Sequence, residues 1–161
     1  MTNRFMLGLL GALWALAGCS HSGGAPEAAR WIAGAAAAHE HADQALARGD
    51  REAARADLSS LVASPAPDAV APSDRRLVLQ DALARLAHLE LLAGRAEQAQ
   101  ALAERGLALG RERDLFAANL LTARGQAREA LGQDRAAADD YHEALLIDEA
   151  LLRETLEGSA P

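Results

Sequence analysis

The residues best equipped for chemistry are five histidines, a large supply of carboxylates and one cysteine. His39 and His41 stand two apart, so on a helix they point about 200° apart and cannot chelate one ion together. His39 and Asp43 share a helical face, as Asp139 does with His142 and Glu143. A di-metal carboxylate bundle needs Glu-x-x-His on two helices plus two further glutamates. This chain has no Glu-x-x-His and a single Asp-x-x-His, from Asp139 to His142. Solvated helix faces account for these pairs, and neither a metal nor another cofactor is expected. The serines after residue 22 are Ser59, Ser60, Ser64, Ser73 and Ser159, and none lies in a Gly-x-Ser-x-Gly elbow. Gly23-Gly24 is a spacer rather than a phosphate-cradling turn. No set of side chains assembles into a catalytic constellation, so the chain is not expected to be an enzyme.

The cysteine is placed differently. Cys19 ends the tetrad Leu16-Ala17-Gly18-Cys19, which follows an apolar run from Phe5 and a single charge, Arg4. A short basic region, an apolar stretch and small residues before a cut site are the marks of a secretory signal. Phe5 to Ala17 is 13 residues, whereas a spanning helix needs about 20. The tetrad resembles a bacterial lipoprotein signal. The resemblance implies that the Cys19 thiol is joined to a diacylglycerol, that cleavage falls between Gly18 and Cys19, and that the new amine is acylated. Ser20 in place of aspartate resembles the signal for onward transfer to the outer membrane of diderm bacteria. The competing reading is an ordinary secretory signal or an uncleaved anchor in which Cys19 is incidental. The expected divisions are a signal peptide (1–18), an acylated cysteine with a flexible tether (19–26), a helical domain (27–157) and a disordered tail (158–161).

Composition narrows the partner. Removal of the first 18 of 161 residues leaves 143, enough for one domain with a real core. With Cys19 acylated no thiol remains for a disulfide or a thiolate metal site. The formal charge of −7 includes Arg4, so the mature chain stands near −8. An acidic surface repels phosphate backbones, which argues against nucleic acid as a partner. All 16 basic residues are arginine, read as compositional bias rather than a binding signature. After residue 18 the only aromatics are Trp31, Phe116 and Tyr141. Alanine and leucine dominate, strand formers are scarce, and no segment alternates with a period of two. The fold class is all-α.

Punctuation divides the chain into helices. Pro26 is placed to open the first, which should run to about Arg48 before Gly49-Asp50 turns it. A second covers about Arg51 to Val62, burying Ala54, Leu58, Leu61 and Val62. Pro65, Pro67 and Pro72 bar continuation. Ser73 is the expected cap of a third helix to about Ala93, with Leu79, Leu83, Leu86 and then Leu89 or Glu90 along its stripe. Gly94 ends it, and Arg95 to Leu109 pairs with it through Ala99, Leu102 and Leu109 until Gly110. Asp114 caps a helix from Leu115 to Leu131, Gly132 ends that one, and Asp134 caps the last. The last carries Ala137, Tyr141, Ala144, Leu145, Leu151, Leu152 and Leu156. It is either continuous to Glu157 or broken near Asp148; the break is favoured.

Three helix pairs turned at Gly49, Gly94 and Gly132 resemble tetratricopeptide repeats, whose period is 34 residues. In the third pair, Gly125, Ala137 and Ala144 fall on the small positions, Tyr141 on the aromatic one and Leu121 on a bulky one. Arg124, Arg128 and Glu149 depart from the pattern, standing where Leu, Tyr and Pro are usual. The second pair keeps Leu83, Leu86, Ala87 and Ala99 but has Glu90, Ala103 and Gly106 at other signature places. The first keeps Ala42, Ala54 and Leu58, with Pro65 and Pro67 straddling the proline position. The turn glycines are spaced by 45 and 38 residues, so the linkers exceed the repeat. The resemblance implies antiparallel helix pairs stacked as a short solenoid of about three pairs with a C-terminal capping helix. An unrelated helical bundle is the competing architecture.

The same register implies a concave face lined by the first helix of each pair. It places there His39, Glu40 and Asp43, then Asp81, Arg85 and His88, then Asn119, Thr122, Gln126 and Glu129. This mixed polar set suits an extended peptide or a partner helix held by side-chain hydrogen bonds. The expected protein is a lipid-anchored adaptor or assembly factor of the bacterial cell envelope, on the outer membrane facing the periplasm. Its partners would be another envelope protein or peptide segment and, through the anchor, the membrane. The alternative is a helical-bundle lipoprotein holding a small apolar ligand in its interior.

Overall fold

The computed structural model describes residues 24–110 and 112–158; Gly18, Cys19, the expected signal peptide and acylation site and most of the expected tether lie outside them. The described residues form six helices and no strand: α1 (Gly24–Ala47), α2 (Arg51–Ala63), α3 (Pro72–Leu92), α4 (Ala96–Leu107), α5 (Leu115–Ala130) and α6 (Asp134–Gly158). Helices α1 and α2, α3 and α4, and α5 and α6 pack pairwise, and the pairs meet through α2–α3, α4–α5 and α3–α5.

Each pair is turned by one glycine, and the reason is steric. Gly49, Gly94 and Gly132 have φ of 78°, 72° and 72°, a left-handed conformation that a Cβ opposes. The next amide then reaches back to a carbonyl of the last helical turn: Asp50 to Ala45 (2.9 Å), Arg95 to Glu90 (2.9 Å) and Gln133 to Arg128 (2.8 Å). This closure satisfies carbonyls that a helix end leaves without partners. Asp50 and Asp114 cap the following helices as expected, accepting from the amides of Ala53 and Ala117 at 3.0 Å each.

Several boundaries differ from the sequence reading. Helix α1 starts at Gly24, so the expected tether is shorter; Pro26 falls in the first turn, where a missing amide hydrogen is harmless. Helix α3 starts at Pro72, with Ala71 as an N-cap lacking any side-chain bond, rather than at a Ser73 cap. Proline at the first position is already fixed at a helical φ. Helix α4 stops at Leu107, and Gly110 does not close it. The Gly106 carbonyl in its last turn is instead held by Gln80 of α3 at 3.1 Å. Asp134 is the first residue of α6 rather than its cap, and α6 is unbroken through Asp148. Ile147 is buried and Leu151 packs against the α5–α6 core, and no proline interrupts the helix there. Gly158, expected to open a disordered tail, is the last residue of α6.

The core is divided along the chain. One cluster joins Ala42, Ala54, Leu58 and Leu86 from α1, α2 and α3. A second joins Leu83, Ala99, Ala103 and Leu120 from α3, α4 and α5. The third joins Ala118, Leu121, Ala144 and Ile147 from α5 and α6. Small residues let helices approach closely: a Cβ on Gly125 would come within 2.6 Å of the Tyr141 ring, and one on Gly106 within 2.5 Å of Leu120.

Charged groups are embedded between these clusters. Asp140 is 3% exposed and is gripped by Arg124, at 2.6 Å from Nη2 and 3.0 Å from Nε, and by Arg128 at 2.8 Å. Buried Glu90 pairs with Arg95 across the α3–α4 turn. Gln80, fully buried, accepts from Arg76, which also reaches the Asp114 cap; both bonds are 2.7 Å. Burial works to raise the Asp114 carboxyl, but the bonds from Arg76 and from the Ala117 amide outweigh it and hold it below its ordinary value.

Candidate interaction groove

Helices α1, α3 and α5 present the side chains that the sequence assigns to a binding face. On α3 and α5 a helical spacing of three, four or seven puts Asp81, Arg85 and His88 opposite Asn119, Thr122 and Gln126. These six, with Ala84 and Ala123 below them, line an open crevice of about 280 Å³. Asn119, Thr122, Gln126 and His88 have no hydrogen-bond partner among the described residues. Their donors and acceptors are available to a ligand.

On the α1 side, His39 and Asp43 join the face through Arg85. One guanidinium nitrogen of Arg85 lies 3.0 Å from His39 Nδ1 and another pairs with Asp43. Glu40 and Glu129 are engaged elsewhere. Glu40 accepts from Gln44 on its own helix at 3.2 Å. Glu129 accepts the Tyr141 phenol of α6 at 2.8 Å. Burial, that bond and the neighbouring carboxylates push the Tyr141 hydroxyl up to about 12.

The tautomer of His39 follows from its neighbours. Arg85 can only donate, so Nδ1 must carry a lone pair and the ring must be neutral with its proton on Nε2. Asp81 Oδ2 lies 3.3 Å from that same Nδ1. A protonated ring would donate to Asp81 and lose Arg85. Burial lowers the His39 pKa below its ordinary 6.5; Asp81 and Asp43 work against it and Arg85 with it. The sign of the effect on stability follows. Below about pH 6.5 the unfolded chain takes up a proton at this histidine that the folded chain resists, so stability falls on acidification and is regained above that value. Urea titrations between pH 7 and pH 5 should therefore show a loss that His39→Gln reduces; an unchanged pH slope in that variant counts against the neutral ring.

Two parts of this region escape sequence reasoning. The engagement of Arg85 by α1 depends on tertiary packing across 42 and 46 residues of chain. The diversion of Glu129 was signalled only by Tyr141, one helix further on. Among the described residues no group of three or more His, Cys, Asp or Glu is placed to hold a metal ion. No helix among them is long and apolar enough to cross a membrane. No family model, curated protein or solved structure matches the chain.

Proposed function

We propose that this is a lipid-anchored adaptor of the bacterial cell envelope whose tetratricopeptide-like helix pairs hold a segment of another envelope protein. The observation that carries the reading is the α3–α5 crevice, where Asn119, Thr122 and Gln126 of one helix face Asp81, Arg85 and His88 of another. A side-chain amide can donate to and accept from a peptide bond at once. Amides seven residues apart on one helix face stand about 10 Å apart, a separation matched by three residues of extended chain. The pairwise packing and the glycine turns support the repeat-like reading. Acylation at Cys19 would confine the protein to a membrane face and raise its effective concentration for a partner there.

The test is crosslinking in the native membrane with Asn119→Ala and Gln126→Ala combined. Both side chains are exposed and without internal partners, so helicity and melting temperature should stay unchanged. Capture of the partner seen with the parent should fall by roughly tenfold or more, corresponding to about 1.4 kcal/mol. Capture undiminished in a folded double variant sinks the groove assignment. Arg85→Glu is a poorer test, because it would set a further carboxylate beside Asp43 and Asp81 and disturb the fold.

A further inference from the structure

Two surfaces outside the groove are unusual for a chain of net charge −7. The first is a crevice of about 540 Å³ between α2, α3 and α4, floored by Ala101 and Leu102 over the buried Leu86 and rimmed by Arg55, Arg95, Gln98 and Arg105. Arg55 and Arg95 have carboxylate partners in Glu52 and Glu90. Arg105 has none among the described residues; it reaches only the Val62 carbonyl, at 3.4 Å. The crevice thus joins an apolar floor to an uncompensated cation.

The second surface is the end of α6. That helix has 25 residues against 16 in α5, so at 1.5 Å per residue it is longer by about 13 Å. Its buried side, with Ala137, Asp140, Ala144 and Ile147, faces α5. Leu145, Leu152 and Leu156 form a separate line at spacings of seven and four, and they are 54%, 60% and 66% exposed. Between residues 148 and 157 four acids, Asp148, Glu149, Glu154 and Glu157, stand against one arginine, Arg153. Most helical stability comes from packing of an apolar face, so these exposed leucines contribute little until another surface covers them.

We propose that the acidic, leucine-lined end of α6 docks into the α2–α3–α4 crevice of a second copy of this chain. Leu152 and Leu156 would cover Ala101 and Leu102, and the flanking carboxylates would face Arg105. An amphipathic helix laid into an apolar groove is a common mode of recognition, and the opposite charges select this pairing. The same acids disfavour an anionic lipid surface as the cover. The main contacts of helix α6 are with α5 rather than with α2 or α3, which favours the crevice of another copy over its own. The contact joins unlike surfaces, so it builds rings or rows of copies rather than a closed two-fold dimer.

The experiment uses the full chain in detergent, mixing copies that carry a photo-crosslinking phenylalanine analogue at position 152 with affinity-tagged copies. Intermolecular adducts should map to the peptide spanning Leu86 to Arg105. Arg105→Glu in the tagged copy should cut their yield roughly tenfold without changing the melting curve. Asp148→Arg with Glu149→Arg in the crosslinking copy should restore it. Absence of intermolecular adducts, adducts joining position 152 to another α6, adducts with lipid, or a yield indifferent to Arg105→Glu would each overturn the proposal.

Discussion

Replacement of Asp140 by alanine is expected to lower the free energy of unfolding by about 3–5 kcal/mol, the usual cost of removing one partner from a buried ion pair. Among the described residues Asp140 is the only carboxylate buried between Arg124 and Arg128, each about one-fifth exposed. Glu104 offers Arg128 no substitute, because it stands 3.9 Å away and is half exposed. Without Asp140 two guanidinium groups would remain against the α5–α6 core with little water to solvate them. Urea denaturation followed by circular dichroism measures the effect. A companion variant, Arg124→Leu with Arg128→Tyr and Asp140→Ala, removes all three charged groups and puts apolar or aromatic side chains in place of the arginines. It should be close to the parent or more stable, since an apolar replacement of a whole buried ionic cluster is often neutral or favourable. If Asp140→Ala costs less than about 1 kcal/mol, the pair behaves as a solvated surface bridge and the account of these arginines fails.

The second large effect concerns the residue that would fix the chain to a membrane. Cys19→Ser is expected to abolish incorporation of a fatty-acid analogue and to leave residues 1–18 attached to the rest of the chain. An oxygen nucleophile does not replace the thiolate as acceptor, and cleavage before residue 19 depends on the modified cysteine in the resembled family. Each buried methylene contributes about 0.8 kcal/mol to membrane affinity, and one chain holds only marginally; three chains on one residue would make release negligible. Mass spectrometry of the parent and variant decides it. An unlabelled parent, or a variant processed at the same bond, would leave Cys19 incidental and the signal an ordinary secretory one.

The fold was legible wherever local chemistry sets structure. Gly49, Gly94 and Gly132 mark turns because their conformation excludes other residues, and Asp50 and Asp114 mark caps because a carboxylate satisfies free amides. The groove was legible as far as helical periodicity reaches: Asp81, Arg85 and His88 share one face, and Asn119, Thr122 and Gln126 another. What the sequence could not show depends on which helix lies opposite. Arg124 and Arg128 look like departures from an apolar pattern until Asp140 stands between them, and Gln80 looks like a surface residue until it holds the end of α4. The break expected near Asp148 failed for a related reason. An aspartate in a helix with its carboxylate in water does not compete for the backbone, and Ile147 and Leu151 on either side anchor the turn.

The division of the core into three neighbouring clusters also bears on how quickly the chain can reach its structure. The main helix contacts join elements adjacent in sequence or one removed, so none of them brings the two ends of the described chain together. Proteins built from such short-range contacts fold in microseconds to milliseconds. A chain exported unfolded through a narrow channel would then acquire its shape almost as soon as it emerged, beginning with whichever hairpin came clear first. Rapid local closure also leaves little time for the leucine-rich helices to meet those of another emerging chain before they meet their own.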